Sequence, residues 1–312
     1  MSISVLRTAE AWWVGTPSGA ARVDTAATTT RELLADRAAI TAAAGSSDTV
    51  AVESLSLLSP VTAPCRVVAQ MTNFASHVKD SGGDPETVPL TFFRKASGSI
   101  SGPYDEVIRP AHVRLLDYEV EIGLVFGADM PVGSEITPDN LPDYVAGVVV
   151  TNDVSARDVQ LPKTQFYEAK SYPTFTPVGP ALVLLDADEL KRFTDLRLRL
   201  WVNGEIRQDM TVADMIYRPV RTLRELTRFQ RMESGDLLLT GTPVGTAISA
   251  PPKPVEIIGS MLPPKVKWKL FFRGQAKNPK YLQDGDVMEV AVGTDDGVLD
   301  LGRQRTIVRF TR

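Results

Sequence analysis

From residue 66 onward the sequence is cut into short apolar runs by Gly, Pro and Asp: LTFFRK, EVIRP, DYEVEIGLVFG, YVAGVVVTNDV, GPALVLLDA, LRLRLWVNG, DLLLTGTP, VMEVAVG and RTIVRF. Runs this short, rich in branched and aromatic residues and bounded by turn formers, read as strands; helices need a longer periodic stretch. LRLRLWVNGEIRQD alternates and then turns at Asn203–Gly204, a pair suited to a two-residue hairpin turn. Predicted helices are fewer, over about 136–144, 163–168, 211–216 and 220–230. The pattern is mainly β with α, an α+β chain, and not a repeated βαβ series. Ahead of it, residues 3–24 read as a strand, a GTPSG turn and a return strand through AARVD. TTTRELLADRAAITAAAG follows as a helix, with Thr28 to Thr30 as capping candidates and Gly45 as its stop. A proline-containing linker puts a boundary near residue 62, giving a small N-terminal α/β domain over 1–62 and a larger domain over 63–312.

Hydrophobic residues at 43% and charged residues at 23% are ordinary globular values. The net charge of −4 argues against a nucleic-acid partner. No stretch approaches the roughly 18 apolar residues that cross a bilayer, so no membrane partner is expected. The start, MSISVLRTAEAWWVG, lacks the basic and then apolar pattern of a signal peptide. A single cysteine, Cys65, excludes an internal disulfide framework and fits a reducing cytoplasm; its plain reading is a small core residue. Two histidines are too few for a multi-His zinc site. A metal here must be held mainly by oxygen, which points to Mg²⁺, Mn²⁺ or Ca²⁺.

The stretch LDYEVEIG puts Asp117, Glu119 and Glu121 on one face of a period-two strand, about 7 Å apart, against Tyr118, Val120 and Ile122. Either this is a solvent-facing edge whose acids pair with scattered lysines, or it is part of a ligand set. VVVTNDVSARDVQ supports the second reading, because a wholly apolar strand ends abruptly in Asn152 and Asp153 and can deliver an acid to a pocket. A Glu-x-Glu pair with an Asp from a second strand makes an oxygen-only divalent site, in which a dication neutralises the repulsion. In MTNFASHVKDSGGD, His77 precedes Asp80 by three residues, which share a face on a helical turn. A histidine oriented by a carboxylate is a serviceable general base near neutral pH. His112 lacks such a partner and is read as structural. Between Glu256 and Asp284 there is no acid, but there are Lys265, Lys267, Lys269, Arg273, Lys277 and Lys280, with Trp268, Phe271 and Phe272 among them. KVKWKL alternates and is read as one strand of a hairpin. That hairpin would be a solvated or dimer-contact element, or a flap that presents cations to an anionic substrate.

Seven motifs, NFASH, DYEVEIGLVFG, NDVSARDVQ, KSYPTFTPVGP, VNGEIRQD, SGDLLLTGTPVG and DGDVMEV, occur in this order over about residues 66–310. Together they resemble the fumarylacetoacetate hydrolase family. The resemblance implies a mixed β-roll or barrel with peripheral helices, and a homodimer. It implies one Mg²⁺ or Mn²⁺ per subunit, held by Glu119, Glu121 and Asp153. His77 with Asp80, and Lys170, fall on its catalytic positions; Asn73, Phe74, Arg157, Gln160 and Thr242 fall on its substrate-binding positions. Asp117 is not a ligand in this picture and is expected to pair with a nearby cation. The implied substrate is a small anionic 2-oxo acid. The implied reaction is hydrolysis of a C–C bond in a 2,4-dioxo acid of acylpyruvate type, through a His/Asp-activated water and a metal-held enolate. Decarboxylation or tautomerisation of oxaloacetate on the same site is the alternative. A catalytically silent metal-dependent binder is a third reading, against which His77 and Lys170 stand together. Four positions depart from the family pattern: Asp80 replaces a glutamate, Phe74 a tyrosine and Ser155 a threonine, and 246–283 enlarges a usually short link into a loop or flap. The six basic residues of that link are expected to be able to select a second carboxylate.

Overall fold

In the computed structural model, which describes residues 2–163, 166–248 and 261–311, the apolar runs form the strands of open mixed sheets. A ten-stranded sheet lies at the centre. Its inner strands are β9 (Val120–Phe126), β10 (Val145–Asn152), β12 (Thr176–Leu184) and β15 (Leu237–Leu239), and every residue in them is buried. Strands covered on both faces carry continuous apolar runs, as VAGVVVTN does. β9 runs antiparallel to β10, with Glu121 opposite Thr151 and Val120 opposite Asn152. β4 (Val67–Met71) and β5 (Thr91–Lys95) extend one side, and the short β6 (Ile100–Ser101) pairs with β12.

The N-terminal segment extends the other side. β1 (Ile3–Arg7) is hydrogen-bonded to β12, and β2 (Trp12–Thr16) and β3 (Gly19–Arg22) follow outward. β1, β2 and β3 thus continue the central sheet. Helices α1 (Thr30–Ala35) and α2 (Arg37–Ala44) stand where one helix is expected. Asp36 divides them, since its carboxylate caps the second helix by accepting the Ala39 N–H. Leu33 and Ile40 of this pair share an apolar cluster with Val125, Val149 and Leu182 of the central sheet.

A five-stranded sheet carries β14 (Glu205–Thr211), β13 (Leu196–Val202), β16 (Val287–Thr294), β17 (Asp300–Phe310) and β7 (Val107–Arg109) in that order. Leu198, Leu200 and Val290 from it join Ile122, Leu124 and Val148 in the larger apolar cluster. Asn203 and Gly204 join β13 to β14 with φ of 51° and 80°, the left-handed pair that a tight hairpin turn needs. A two-stranded pair, β8 (Leu116–Asp117) with β11 (Ser155–Ala156), completes the strands. The α+β class expected from the sequence is the observed one, with no closed barrel among the described residues.

The remaining helices are α3 (Ala75–Asp80), α4 (Leu141–Tyr144), α5 (Arg157–Lys163), α6 (Ala187–Lys191), α7 (Pro219–Thr227) and α8 (Pro264–Gln275). Of the helix expected over 136–144 only the last turn forms, and 211–216 holds a single 3₁₀ turn at Val212–Asp214. The helix expected at 163–168 ends at Lys163, and residues 164–165 lie outside the described residues. KVKWKL is helical, not a hairpin strand. Its alternation is real, but Trp268, Phe271, Phe272 and Gln275 recur at helical spacing, and Pro264 at the first helical position presets φ for a helix start. Of the expected flap over 246–283, residues 249–260 lie outside the described residues.

Candidate active site and metal centre

The strand expected through LDYEVEIG is broken. β8 ends at Asp117, β9 starts at Val120, and Tyr118 and Glu119 lie between them. The Asp153 N–H donates to the Glu119 carbonyl (2.8 Å), and the Glu119 N–H donates to Asn152 Oδ1 (2.9 Å). These bonds fasten the two chain segments so that the carboxylates of Glu119, Glu121 and Asp153 lie within 4.8 Å of one another. None is at a solvent edge: Glu119 is 6% exposed, Glu121 2% and Asp153 0%.

Buried acids need partners, because the low-dielectric interior leaves an unpaired charge at a cost of several kcal/mol. Lys170 Nζ donates to Glu119 Oε2 (2.7 Å) and Asp153 Oδ2 (2.5 Å). Lys95 Nζ donates to Asp153 Oδ1 and to the Phe175 carbonyl. Arg157 donates through Nε to Asp117 (2.8 Å), and through its two terminal nitrogens to Glu119 (2.5 Å) and Gln160 Oε1 (2.9 Å). Asp117 also accepts the Tyr118 and Ala247 N–H groups, so its oxygens are committed to holding the framework.

Glu121 is the exception. Among the described residues it accepts one hydrogen bond, from the Gly241 N–H (2.7 Å), and makes no direct ion pair. Gly241 is at φ +89°, and a Cβ there would lie 2.8 Å from the Asn73 Cβ, so this approach requires glycine. Burial pushes the Glu121 carboxyl well above the usual range, and Asp153 and Glu119 push it the same way. Burial acts likewise on Glu119, but Lys170 and Arg157 outweigh it and hold that carboxyl at about 2. Burial alone would lower the Lys170 pKa; Asp153 and Glu119 reverse this and raise it. An oxygen-only, buried, acid-rich donor set with one carboxylate lacking a cation fits a hard divalent ion, and Glu119, Glu121 and Asp153 would hold it.

A cavity of about 730 Å³ opens beside these acids, lined by His77, Glu119, Glu121, Arg157, Gln160, Lys170 and Thr242 among others. His77 Nδ1 is buried there without a hydrogen-bond partner. Burial lowers the His77 pKa ahead of the opposing pull of Glu119, so the ring is neutral near pH 7. The expected His77–Asp80 hydrogen bond is not formed. Asp80 is the last residue of the short α3, and its charge reaches His77 only behind burial, Glu119, Arg157 and Asp117.

Two expected substrate contacts also lie elsewhere. Asn73 is fully buried and outside the cavity wall: its amide donates to the Tyr217 and Thr240 carbonyls and accepts the Tyr217 N–H, which ties down the segment leading to Gly241. Phe74 is 0% exposed and packs in the main apolar cluster. Thr242 does face the cavity, and its oxygen accepts from Gln208 Nε2 (2.8 Å), which leaves its own proton to donate.

Lys95 and Gln208 are functional neighbours that the motifs do not single out. A signal for Lys95 exists: it follows Phe93 by two residues on β5, so both share a face, and Phe93 lines the cavity. Gln208 sits in EIRQD with nothing to mark it as the buried residue of an otherwise accessible strand. His112 bonds the Tyr172 hydroxyl (2.8 Å) away from the cavity. Burial, then Asp236, pushes the Cys65 thiol up to about 12, so it is not a nucleophile at neutral pH.

The ion-paired acids and the cavity are thus built where several strands end. Residues 66–309 match the model of the fumarylacetoacetate (FAA) hydrolase C-terminal domain, and the chain belongs to the fumarylacetoacetate hydrolase family. It is similar to the mitochondrial oxaloacetate tautomerase Fahd2a of Rattus norvegicus, 36% identical over 64% of this chain and 62% of that protein's length. It is also similar to the 2,4-didehydro-3-deoxy-L-rhamnonate hydrolase of Sphingomonas sp. strain SKA58, 34% identical over 79% of this chain and 74% of that one. A probable 2-hydroxyhepta-2,4-diene-1,7-dioate isomerase from Mycobacterium abscessus superposes over 100% of both chains with a TM-score of 0.75 and 28% identity. Among the described residues no helix is long and apolar enough to cross a membrane.

Proposed function

We propose that this chain is a divalent-metal-dependent enzyme that hydrolyses a C–C bond in a 2,4-dioxo acid. One observation carries the reading: a buried acid triad with an uncompensated member, Glu121, opens on the same cavity as a neutral His77 and Lys170. Held by Glu119, Glu121 and Asp153, Mg²⁺ or Mn²⁺ would supply a Lewis acid to a bound 2-oxo acid.

The side chains divide the remaining work. Thr242 donates to the substrate carboxylate, because Gln208 already donates to its oxygen. Arg157 fixes Gln160 by its Oε1, which turns the Gln160 NH₂ outward as a donor. His77, neutral and lining the cavity, accepts a proton from the water that attacks the distal carbonyl. Lys170 has three N–H donors and engages two with Glu119 and Asp153; the third is available to the oxyanion. When the tetrahedral adduct collapses, the C–C bond breaks, its electron pair forms the enolate of pyruvate, and the proton on His77 returns to that carbon. The products are a carboxylic acid and pyruvate.

A second reading rests on His77 donating no hydrogen bond to Asp80 among the described residues, together with the likeness to a relative named an oxaloacetate tautomerase. Tautomerisation or decarboxylation of oxaloacetate needs no oriented water. Product analysis on acylpyruvates and oxaloacetate with Mg²⁺ or Mn²⁺ separates the two. Acid plus pyruvate supports hydrolysis; keto–enol exchange or CO₂ release alone supports the second reading; no turnover of any of them contradicts both. For hydrolysis, His77→Ala is expected to lower the rate by about 10²–10⁴ while divalent binding persists; full rate in that variant removes His77 from the mechanism. A homodimer and a cytoplasmic location complete the reading, to be checked by sedimentation and by cell fractionation.

A further inference from the structure

The cavity wall has two kinds of surface. Its polar groups come from the sheet ends and from α3 and α5, whereas α8 supplies an aromatic face. On α8 the lining positions Lys267, Leu270, Phe271 and Gly274 follow the i, i+3, i+4, i+7 spacing, so one stripe of the helix looks into the cavity. Trp268, beside that stripe, stacks on Phe272 at 5.5 Å and 18°, and Phe271 meets Trp268 edge-on at 5.8 Å. Rings that brace one another in this way form a platform that loses little freedom when a ligand covers it. No residue of α8 is fully buried, and Leu270 is 53% exposed, so among the described residues nothing covers this apolar face.

The basic residues of the same segment point elsewhere. Lys265, Lys269, Arg273, Lys277 and Lys280 are exposed and outside the cavity wall. Lys267 alone of the six lines it, with Nζ 5.8 Å from the Trp268 ring centroid. That is weak provision for a second carboxylate and ample provision for an apolar group. The volume of about 730 Å³ lies in the range of roughly 300–1,000 Å³ that takes drug-sized ligands. A short oxo acid would leave most of it as water against aromatic rings.

We infer that α8 is the specificity element of this enzyme, and that it selects 2-oxo acids whose tail is a bulky apolar group, aryl or long-chain alkyl, over short or carboxylate-terminated ones. Trp268 and Phe271 are the residues that touch the tail. The inference rests on the proposed 2-oxo acid reading of the site.

Calorimetric binding to the full chain with Mg²⁺ present tests it without requiring turnover. The probes are oxalate for the head group alone, pyruvate, 3-phenylpyruvate and 2-oxoglutarate. The unsubstituted chain is expected to bind 3-phenylpyruvate about 10-fold or more tighter than pyruvate. Trp268→Ala with Phe271→Ala is expected to erase that preference and leave oxalate affinity within about two-fold, which also shows that the fold persists. Lys267→Ala is expected to leave 2-oxoglutarate binding unchanged. Equal affinity for pyruvate and 3-phenylpyruvate overturns the inference, as does a preference that survives the double substitution. Tight 2-oxoglutarate binding that is lost in Lys267→Ala overturns it in favour of a dicarboxylate. An aryl preference without turnover of any dioxo acid leaves the inference standing and sinks the catalytic reading. No oxalate binding sinks both.

Discussion

Asp153 and Glu121 sit in one cluster but in opposite surroundings, and their substitutions should behave differently. Asp153 anchors two buried ammonium groups, Lys95 and Lys170. Asp153→Asn leaves Lys95 without its carboxylate and Lys170 with Glu119 alone, and is expected to cost about 3–5 kcal/mol of stability in denaturant unfolding. A loss under 1 kcal/mol would mean that the ion pairs are not formed. Glu121 makes no direct ion pair among the described residues, and its folded-state pKa lies above the unfolded one. A raised pKa contributes stability that is present below the unfolded carboxylate range and is lost as pH rises through the folded value. The metal-free protein should therefore lose stability as pH rises above the usual carboxylate range. Glu121→Gln, which imitates the protonated form, should abolish that slope and stay within about 1 kcal/mol of the parent at low pH. Parallel unfolding curves for the two proteins across that range would show that Glu121 is not strained by its charge. The roles of the acids were partly legible, because alternation and an abrupt strand end mark acids that a solvent face does not require. The orientation of Asn73 and Phe74 was not. A motif fixes position along the chain, while their side chains turn toward the Thr240 segment and the core.

Among the secondary elements, the strands were the easiest to read and α8 the hardest. Strands bounded by Gly, Pro and Asp leave few alternatives, and Asn203–Gly204 dictates its own turn. KVKWKL satisfies period two over its own length and a helical period once Phe271, Phe272 and Gln275 are included; the longer pattern prevails. The composition changes near residue 62, and the strands before it are hydrogen-bonded into the central sheet. β1 covers the edge of β12, and the α1–α2 pair closes the outer apolar cluster. Removal of residues 1–62 is thus expected to expose that edge and cluster, and to yield aggregated protein or protein without a cooperative melt. A truncated chain that melts cooperatively near the full-length midpoint would show that the segment is an independent domain after all.

Across the whole molecule, the fold and the chemistry are joined through charge. The central sheet can bury its acids only because Lys95, Lys170 and Arg157 arrive from β5, the segment after α5 and the start of α5. This leaves four buried carboxylates, Asp117, Glu119, Glu121 and Asp153, against three cations, and the imbalance falls on Glu121. A sequence displays the acids as a local pattern, but their neutralisation is assembled from distant segments, and no local pattern marks Lys95 or Gln208 as their neighbours. A divalent ion would give Glu121 the positive partner it lacks, and direct titration tests this. Chelator-treated protein is titrated with Mn²⁺ and the free ion is followed by electron paramagnetic resonance. One ion per chain is expected for the parent, and binding roughly 100-fold or more weaker for Glu121→Gln with unchanged circular dichroism. Equally tight binding by the folded Glu121→Gln variant, or no binding by the parent, would contradict a metal centre at Glu119, Glu121 and Asp153.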